Sequence, residues 1–290
     1  MIVKKVLITG SNGQLGQCLK ELSKTLESNL EFVFTSSKTL DITNNNQVLN
    51  YFNQHNFDYC INCAAYTAVD NAEDDIANAE KVNIIGIKNI AEACLLKDTK
   101  LIHVSTDFVF EGTSITPYTE EDKTNPISIY GKTKLKGEKE VTNNLTNYFI
   151  IRTSWLYSEY GNNFVKTMLR LGKDRDSLSV VNDQTGTPTY AKDLAKVLLK
   201  IIDDKNTNYG IYHYSNDGEV SWYDFAKAIF NIYNIDINLS GISTKDYVTK
   251  AERPIYSVLN KEKIKKNINV EIPYWETSLK DCLKAIRFNS

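Results

Sequence analysis

Short apolar runs alternate along the chain with longer stretches in which hydrophobic residues recur every three or four positions. The apolar runs are Val3 to Thr9, Glu31 to Phe34, Phe57 to Asn62, Lys100 to Ser105, Tyr148 to Ser154 and Gly210 to Tyr214, and their length predicts strands. Helical spacing follows each of the early runs: Leu15, Leu19, Leu22 and Leu26 after the first, residues 46–55 after the second, 76–96 after the third. After the fourth, a loop with Pro117 and Pro126 leads into a helix that carries Tyr130 and Lys134. Strand and helix in regular alternation predict a parallel sheet with right-handed crossovers. Further on, Phe164, Met168, Leu169 and Leu171 form a helical stripe, Leu178 to Asn182 reads as a strand, and Ala191 to Ile202 as an amphipathic helix returning to the sheet. Ser221 to Tyr233 presents Trp222, Phe225, Ile229 and Phe230 on one apolar face, read as core packing, and Trp275 to Ile286 closes the chain as a helix. The expected fold class is α/β: a doubly wound parallel sheet with a second, smaller mixed α/β lobe. Residues 1–172 and 189–215 are assigned to the first, 173–188 and 216–290 to the second.

Composition narrows the kind of partner. Of the 290 residues 24% are charged and 42% hydrophobic, with a formal net charge of -2, so nothing pulls the whole surface toward nucleic acid or an anionic membrane. A small molecule in a pocket is the expected partner. No apolar run approaches the roughly 18 to 20 residues of a membrane span, and the first strand begins without a signal-peptide core, so a cytoplasmic location is expected. The five cysteines are odd in number and scattered, which excludes a disulfide framework, and Cys60-Ile61-Asn62-Cys63 has no second pair to complete a metal site. No metal is expected. His103 and His213 fall inside strand runs and read as buried structural residues.

Candidate chemistry begins at the end of the first run, where Gly10-Ser11-Asn12-Gly13-Gln14-Leu15-Gly16 joins strand to helix. Glycines let the backbone approach a pyrophosphate closely while the helix amino terminus offers N–H donors, so this turn predicts a dinucleotide-binding (Rossmann) site. The spacing is G-x-x-G-x-x-G, which departs from the common G-x-G-x-x-G fingerprint. Thr35, Ser36 and Lys38 follow the second strand where NAD-preferring folds place an acid; hydroxyls and a lysine suit a 2'-phosphate, which favours NADPH and leaves NADH open. Asp41 and Ile42 lie where the adenine is expected, and Ala64, Ala65, Tyr66 and Thr67, after the third strand, permit close approach of the cofactor. Thr106 ends the fourth strand in the same crevice, placed to hydrogen-bond a substrate carbonyl. Tyr130 and Lys134 are four apart on a helix and share a face. A phenol has a pKa of about 10, and a neighbouring ammonium is expected to lower it toward a working range for acid-base chemistry.

The glycine turn, Ser105-Thr106 and Tyr130-x-x-x-Lys134 together resemble the extended short-chain dehydrogenase/reductase superfamily, and within it the dTDP-4-dehydrorhamnose reductase family. Further matching stretches are Ala64 to Asp70, Ser105 to Phe110, Arg152 to Tyr157, Gly161 to Phe164, Asn182 to Thr189 and Arg253-Pro254. The resemblance implies an NAD(P)H-dependent reduction of the C4 ketone of dTDP-4-dehydro-L-rhamnose, with Thr106, Tyr130 and Lys134 catalytic. Tyr130 would donate the proton, Lys134 would hold the nicotinamide ribose and depress the tyrosine pKa, and Thr106 would orient the carbonyl. It implies Thr106, Asp107, Tyr130, Trp155, Asn163 and Arg253 as substrate-binding, the indole against the sugar and the guanidinium, on an otherwise structureless stretch, against the diphosphate. Sugar 4,6-dehydratases of the superfamily carry an acidic pair after the strand-four threonine; here Asp107 is followed by Phe108. Two alternatives stay open: a reductase of another 4-ketosugar nucleotide, and a non-catalytic NADP-binding regulatory subunit of the methionine adenosyltransferase type. Some family members form metal-bridged dimers through a glutamate at the position of Cys18, so a monomer or weak homodimer is expected here.

Overall fold

Alternate side chains of the first strand, β1 (Lys4–Thr9), face opposite ways: Val6 and Ile8 enter one buried layer and Leu7 the other. All three are fully buried, as a central parallel strand covered on both faces requires, and each such burial stabilises by roughly 1.5–3 kcal/mol. The computed structural model describes residues 3–25 and 29–288. Met1 and Ile2, Leu26 of the first helical stripe with its two successors, and residues 289–290 lie outside the described residues.

From β1 the chain runs through α1 (Gln14–Leu22), β2 (Leu30–Phe34), α2 (Asn45–Gln54), β3 (Tyr59–Asn62), α3 (Val69–Asp74), α4 (Ile76–Glu80), a π-helical turn (Lys81–Gly86) and α5 (Ile87–Leu96). Then come β4 (Lys100–Thr106), a 3-10 turn (Asp107–Val109), α6 (Ile129–Asn144), β5 (Tyr148–Thr153), β6 (Leu156–Tyr157), α7 (Phe164–Asp174), β7 (Ser177–Val181), β8 (Thr185–Gly186) and β9 (Thr189–Tyr190). The last elements are α8 (Ala191–Asp203), β10 (Gly210–His213), β11 (Val220–Ser221), α9 (Trp222–Tyr233), β12 (Asn238–Ile242), α10 (Glu262–Ile268) and α11 (Trp275–Phe288). No described helix is long and apolar enough to cross a membrane.

The main sheet has the order β10-β5-β4-β3-β1-β2, parallel throughout. The order reverses between β1 and β3, and such a switch point opens a crevice at the carboxyl ends of the strands. One face is covered by α1 and α8, whose Leu15, Leu19, Leu194 and Leu198 meet Val6, Ile8 and Ile151. The other is covered by α2, α5 and α6 through Phe52, Ile90 and Val141. A third core joins α7, α9 and α11 around Phe225, Ile229 and Leu279. It includes Val165, Met168 and Leu169 of α7, residues that sequence reading grouped with the sheet. Short pairings complete this second lobe: β7 with β12 in parallel and β8 with β11 antiparallel.

Three features differ from the sequence expectation. The helix predicted over 76–96 contains the π turn, where Asn83 turns its side chain onto the Tyr66 backbone (2.9 and 3.1 Å) and Thr133 of α6 (3.1 Å). Irregular turns of this kind mark functional neighbourhoods; here it clamps the helix that bears Tyr130. The stretch around Arg253 is ordered rather than structureless: Thr185 bridges Tyr256, Tyr118 bridges Leu259, and α10 follows. Helix α3, short and without apolar periodicity, was not foreseen.

Candidate active site

Ser128 fixes where α6 begins, because its hydroxyl accepts the Gly131 N–H at 3.1 Å. Tyr130 therefore stands in the first turn and Lys134 one turn on, both buried. Gly131 is required by contact: a Cβ there would lie 2.2 Å from the Phe108 carbonyl oxygen. The close approach brings the Phe108 ring edge-on to Tyr130, with centroids 5.5 Å apart at 73°. Lys134 donates from Nζ to the Val104 carbonyl at 2.7 Å. Burial pulls its pKa down to about 8, against the pull of Glu138 and Cys63 toward the charged form.

The tyrosine behaves otherwise than the spacing predicts. Burial pushes the Tyr130 phenol up to about 12; Thr106 offsets this in part and the Asp107 charge adds to it. Desolvation outweighs any help from the ammonium, whose Nζ is turned toward β4. Tyr130 is thus held as a neutral phenol, the form that can give up a proton. Thr106 accepts the Phe108 N–H at 3.2 Å and donates to Asp107 Oδ1 at 3.0 Å. The Asp107 carboxyl, 2% exposed, is pushed up to about 6 by burial, with Ser257 and Thr106 acting the other way.

These groups line a cleft of about 860 Å³ that also takes in the glycine turn. Gly10 adopts φ +64° and a Cβ on it would lie 2.6 Å from Ala64 N, so β1 and β3 meet here only through a glycine. Gly13 caps α1 without a side chain of its own, which leaves the helix amino terminus free for an anion. This cradle fits a dinucleotide pyrophosphate. Gly10→Ala is expected to cost about 1–3 kcal/mol from the left-handed backbone alone and to weaken NADPH binding; denaturant unfolding and a cofactor titration measure both.

Most of the predicted cofactor residues line the cleft: Gly10, Asn12 to Gly16, Ser36, Asp41, Ile42, Ala64, Ala65 and Thr67. Three lie outside its wall. Thr35 turns its hydroxyl back onto the Ile8 carbonyl at 3.2 Å. Lys38 is exposed in the turn that Ser36 and Thr39 close, so Ser36 and Ser37 are the side chains of that turn in the wall. Tyr66 bonds Asp75 through its hydroxyl at 3.3 Å.

On the substrate side Thr106, Asp107, Trp155, Asn163 and Arg253 all line the cleft. Trp155 takes φ +46°, costly for a bulky residue, and stacks on Trp222 with centroids 3.5 Å apart. Asn163 spends its amide on Gln14 Oε1, Ser158 O and Tyr160 O while its Oδ1 caps α7 at the Lys166 N–H. Its role in this structure is to tie α7 to the glycine turn. Arg253 forms a bidentate pair with Asp70 of α3, at 3.1 and 2.6 Å, which holds the Asp70 carboxyl below the usual range. His103 and His213 are buried as expected, the first beside Asn62 and the second against the Tyr118 carbonyl.

One family model, described as RmlD substrate binding domain, matches residues 4–288. The chain belongs to the RmlD substrate binding domain family. A dTDP-4-dehydrorhamnose reductase of Aggregatibacter actinomycetemcomitans is 42% identical to this RmlD-family chain over 290 residues, covering 96% of it and 97% of the relative. A crystal structure of a dTDP-4-dehydrorhamnose reductase from Clostridium acetobutylicum superposes with TM-score 0.94 at 45% identity, over 98% of this chain and 99% of that one. Another from Bacillus anthracis, in complex with NADP, gives TM-score 0.93 at 42% identity over 97% and 99%. In this RmlD-family member, sequence reading missed Trp222 in the cleft wall and the carboxylate that Arg253 pairs with. Trp222 was taken for core, yet it is the first residue after the Ser221 cap and so stands at a helix end that opens on the cleft. Asp70 carried no local signal, since its partner lies far along the chain.

Proposed function

We propose that the protein is an NADPH-dependent reductase of the C4 ketone of dTDP-4-dehydro-L-rhamnose, yielding dTDP-L-rhamnose. The observation that carries this reading is the convergence of Tyr130, Lys134 and Thr106 with the glycine turn and the Trp155–Trp222 stack in one cleft. NADPH, when bound on the glycine turn, supplies the hydride that reduces the ketone. Tyr130 gives its phenolic proton to the C4 oxygen, and Thr106 orients that oxygen. Lys134, once turned from the Val104 carbonyl, would hold the ribose hydroxyls of the cofactor. Ser36 and Ser37, in the cleft wall, would hold the 2'-phosphate. The paired indoles offer a flat apolar wall to the 6-deoxy face of the sugar, and Arg253 reaches the diphosphate from the side of the second lobe. Phe108 fills the place of the second acid of the dehydratase pair, so the site lacks the paired carboxyls that elimination uses while a simple reduction needs none. The sheet with α1 and α8 serves the cofactor; the core around α7, α9 and α11 serves the nucleotide sugar. Cofactor absorbance in the presence of a panel of 4-ketosugar nucleotides tests the reading. Oxidation of NADPH with the dTDP-4-dehydro-L-rhamnose substrate is expected. Turnover with a different ketosugar alone would reassign the substrate, and no turnover with any would favour a non-catalytic binding subunit.

A further inference from the structure

Thr106 has one hydroxyl proton and two claims on it. In the structure that proton goes to Asp107 Oδ1 at 3.0 Å, while the Phe108 N–H occupies an acceptor site of the same oxygen. A hydroxyl so engaged can only accept from a third group, whereas a ketone oxygen offers no proton and needs a donor. The residue that orients the carbonyl is thus turned away from the work the reductase reading gives it, as long as Asp107 is a carboxylate. The carboxyl itself is buried on the cleft wall, and its Oδ2 makes no hydrogen bond among the described residues.

We propose, on the basis of the reductase reading, that Asp107 works as the neutral acid: it donates its own proton to Thr106 Oγ, and the released Thr106 hydroxyl donates to the C4 ketone oxygen. Asp107 is then a positioning residue that acts through Thr106. With the carboxyl neutral, Thr106 accepts from both Asp107 and the Phe108 N–H and gives its single proton to the substrate, so the donor and both acceptor sites of the Thr106 hydroxyl are matched. The groups that face Asp107 are Thr106 on its own strand end, the Tyr130 phenol from α6 and the Ser257 hydroxyl ahead of α10, and none of them brings a positive charge to hold the carboxylate. The neutral form also removes the charge that opposes proton release from Tyr130. Burial, which sets the Asp107 pKa at about 6, makes this form accessible near neutral pH.

The test is the pH dependence of kcat/KM for the ketosugar at saturating NADPH, in the wild type and in Asp107→Asn. The wild type is expected to lose activity as pH rises through about 6, by roughly fifty-fold between about pH 6 and about pH 8 for one proton lost. The amide of Asp107→Asn is a permanent donor toward Thr106, so the pH profile of this variant lacks that decline whatever the level of its plateau. The later decline as Lys134 loses its proton at about 8 stays in both. A second readout needs no turnover: infrared difference spectra of cofactor-free protein should show a carboxylic-acid carbonyl band that titrates in parallel and is missing in Asp107→Asn. A decline near pH 6 that persists in Asp107→Asn, or a carboxylate throughout the infrared titration of the wild type, overturns the proposal alone. A wild type that oxidises NADPH with no 4-ketosugar overturns the reductase reading and this role with it.

Discussion

Tyr130→Phe is expected to lower turnover by about 10²–10⁴-fold, the usual worth of a positioned general acid, while NADPH affinity stays within about twofold. The substitution removes one oxygen and leaves the ring, so the edge contact with Phe108 and the first turn of α6 persist. Among the described residues no partner that anchors the fold depends on that hydroxyl; its neighbours are Thr106 and Asp107, both parts of the site. Stability should therefore change little, and the loss should fall on kcat. Because burial keeps the phenol protonated up to about 12, the wild-type proton donor is fully loaded over the working range, and titration of Tyr130 itself should not shape the pH profile. Steady-state kinetics with a parallel fluorescence titration of NADPH separates the two quantities. Near-normal turnover would remove Tyr130 from the acid role.

What was legible in the sequence was local. The glycine turn could be read because strand, glycines and helix adjoin within a few residues, and the structure places all three glycines at the switch between β1 and β3. Tyr130 and Lys134 could be read because a helix of known period fixes their relation, and Ser128 set its start. Their electrostatics could not. Spacing brings the ammonium near the phenol, but the depth of burial and the direction of Nζ decide the pKa, and both are properties of the packed sheet. The same holds for Asn163, whose residue type suits a ligand but whose amide donates to Gln14, 149 residues earlier in the chain. Trp222 illustrates a limit of periodicity: an aromatic at the head of an apolar stripe reads as core, and only its stack on Trp155 in the cleft wall brings it into the site. Arg253 was recognised as a guanidinium in search of an anion, yet its resident partner is Asp70, and pairing between chain-distant residues leaves no mark on either stretch.

The second large effect is expected one turn beyond Lys134. Glu138→Ala should destabilise the fold by about 3–5 kcal/mol, because it strands a buried guanidinium. Glu138 and Arg152 are each 3% exposed and meet in a forked pair, Nε to Oε1 at 3.0 Å and Nη2 to Oε2 at 2.8 Å. Ser105 donates to the same Oε1, which completes the carboxylate. Without it, Arg152 keeps the His213 ring at 3.4 Å and the face of Phe110, neither of which neutralises its charge. The pair also joins α6 to β5, next to the strand end that carries Thr106, so the damage reaches the site through the backbone that positions Lys134. A charge effect accompanies it. Glu138 holds the Lys134 pKa up against burial, so its removal should move the loss of the Lys134 proton below about 8 and shift the alkaline limb of the pH–rate profile downward. Glu138→Leu with Arg152→Met replaces both ions by apolar side chains and should restore most of the stability, as replaced buried pairs commonly do. The alkaline limb should stay low in that double variant, since the lysine still lacks its negative neighbour. Denaturant midpoints for the three proteins, together with their pH profiles, separate the structural part of Glu138 from the electrostatic one: stability that returns along with the original alkaline limb would show that Glu138 does not act on Lys134 through its charge.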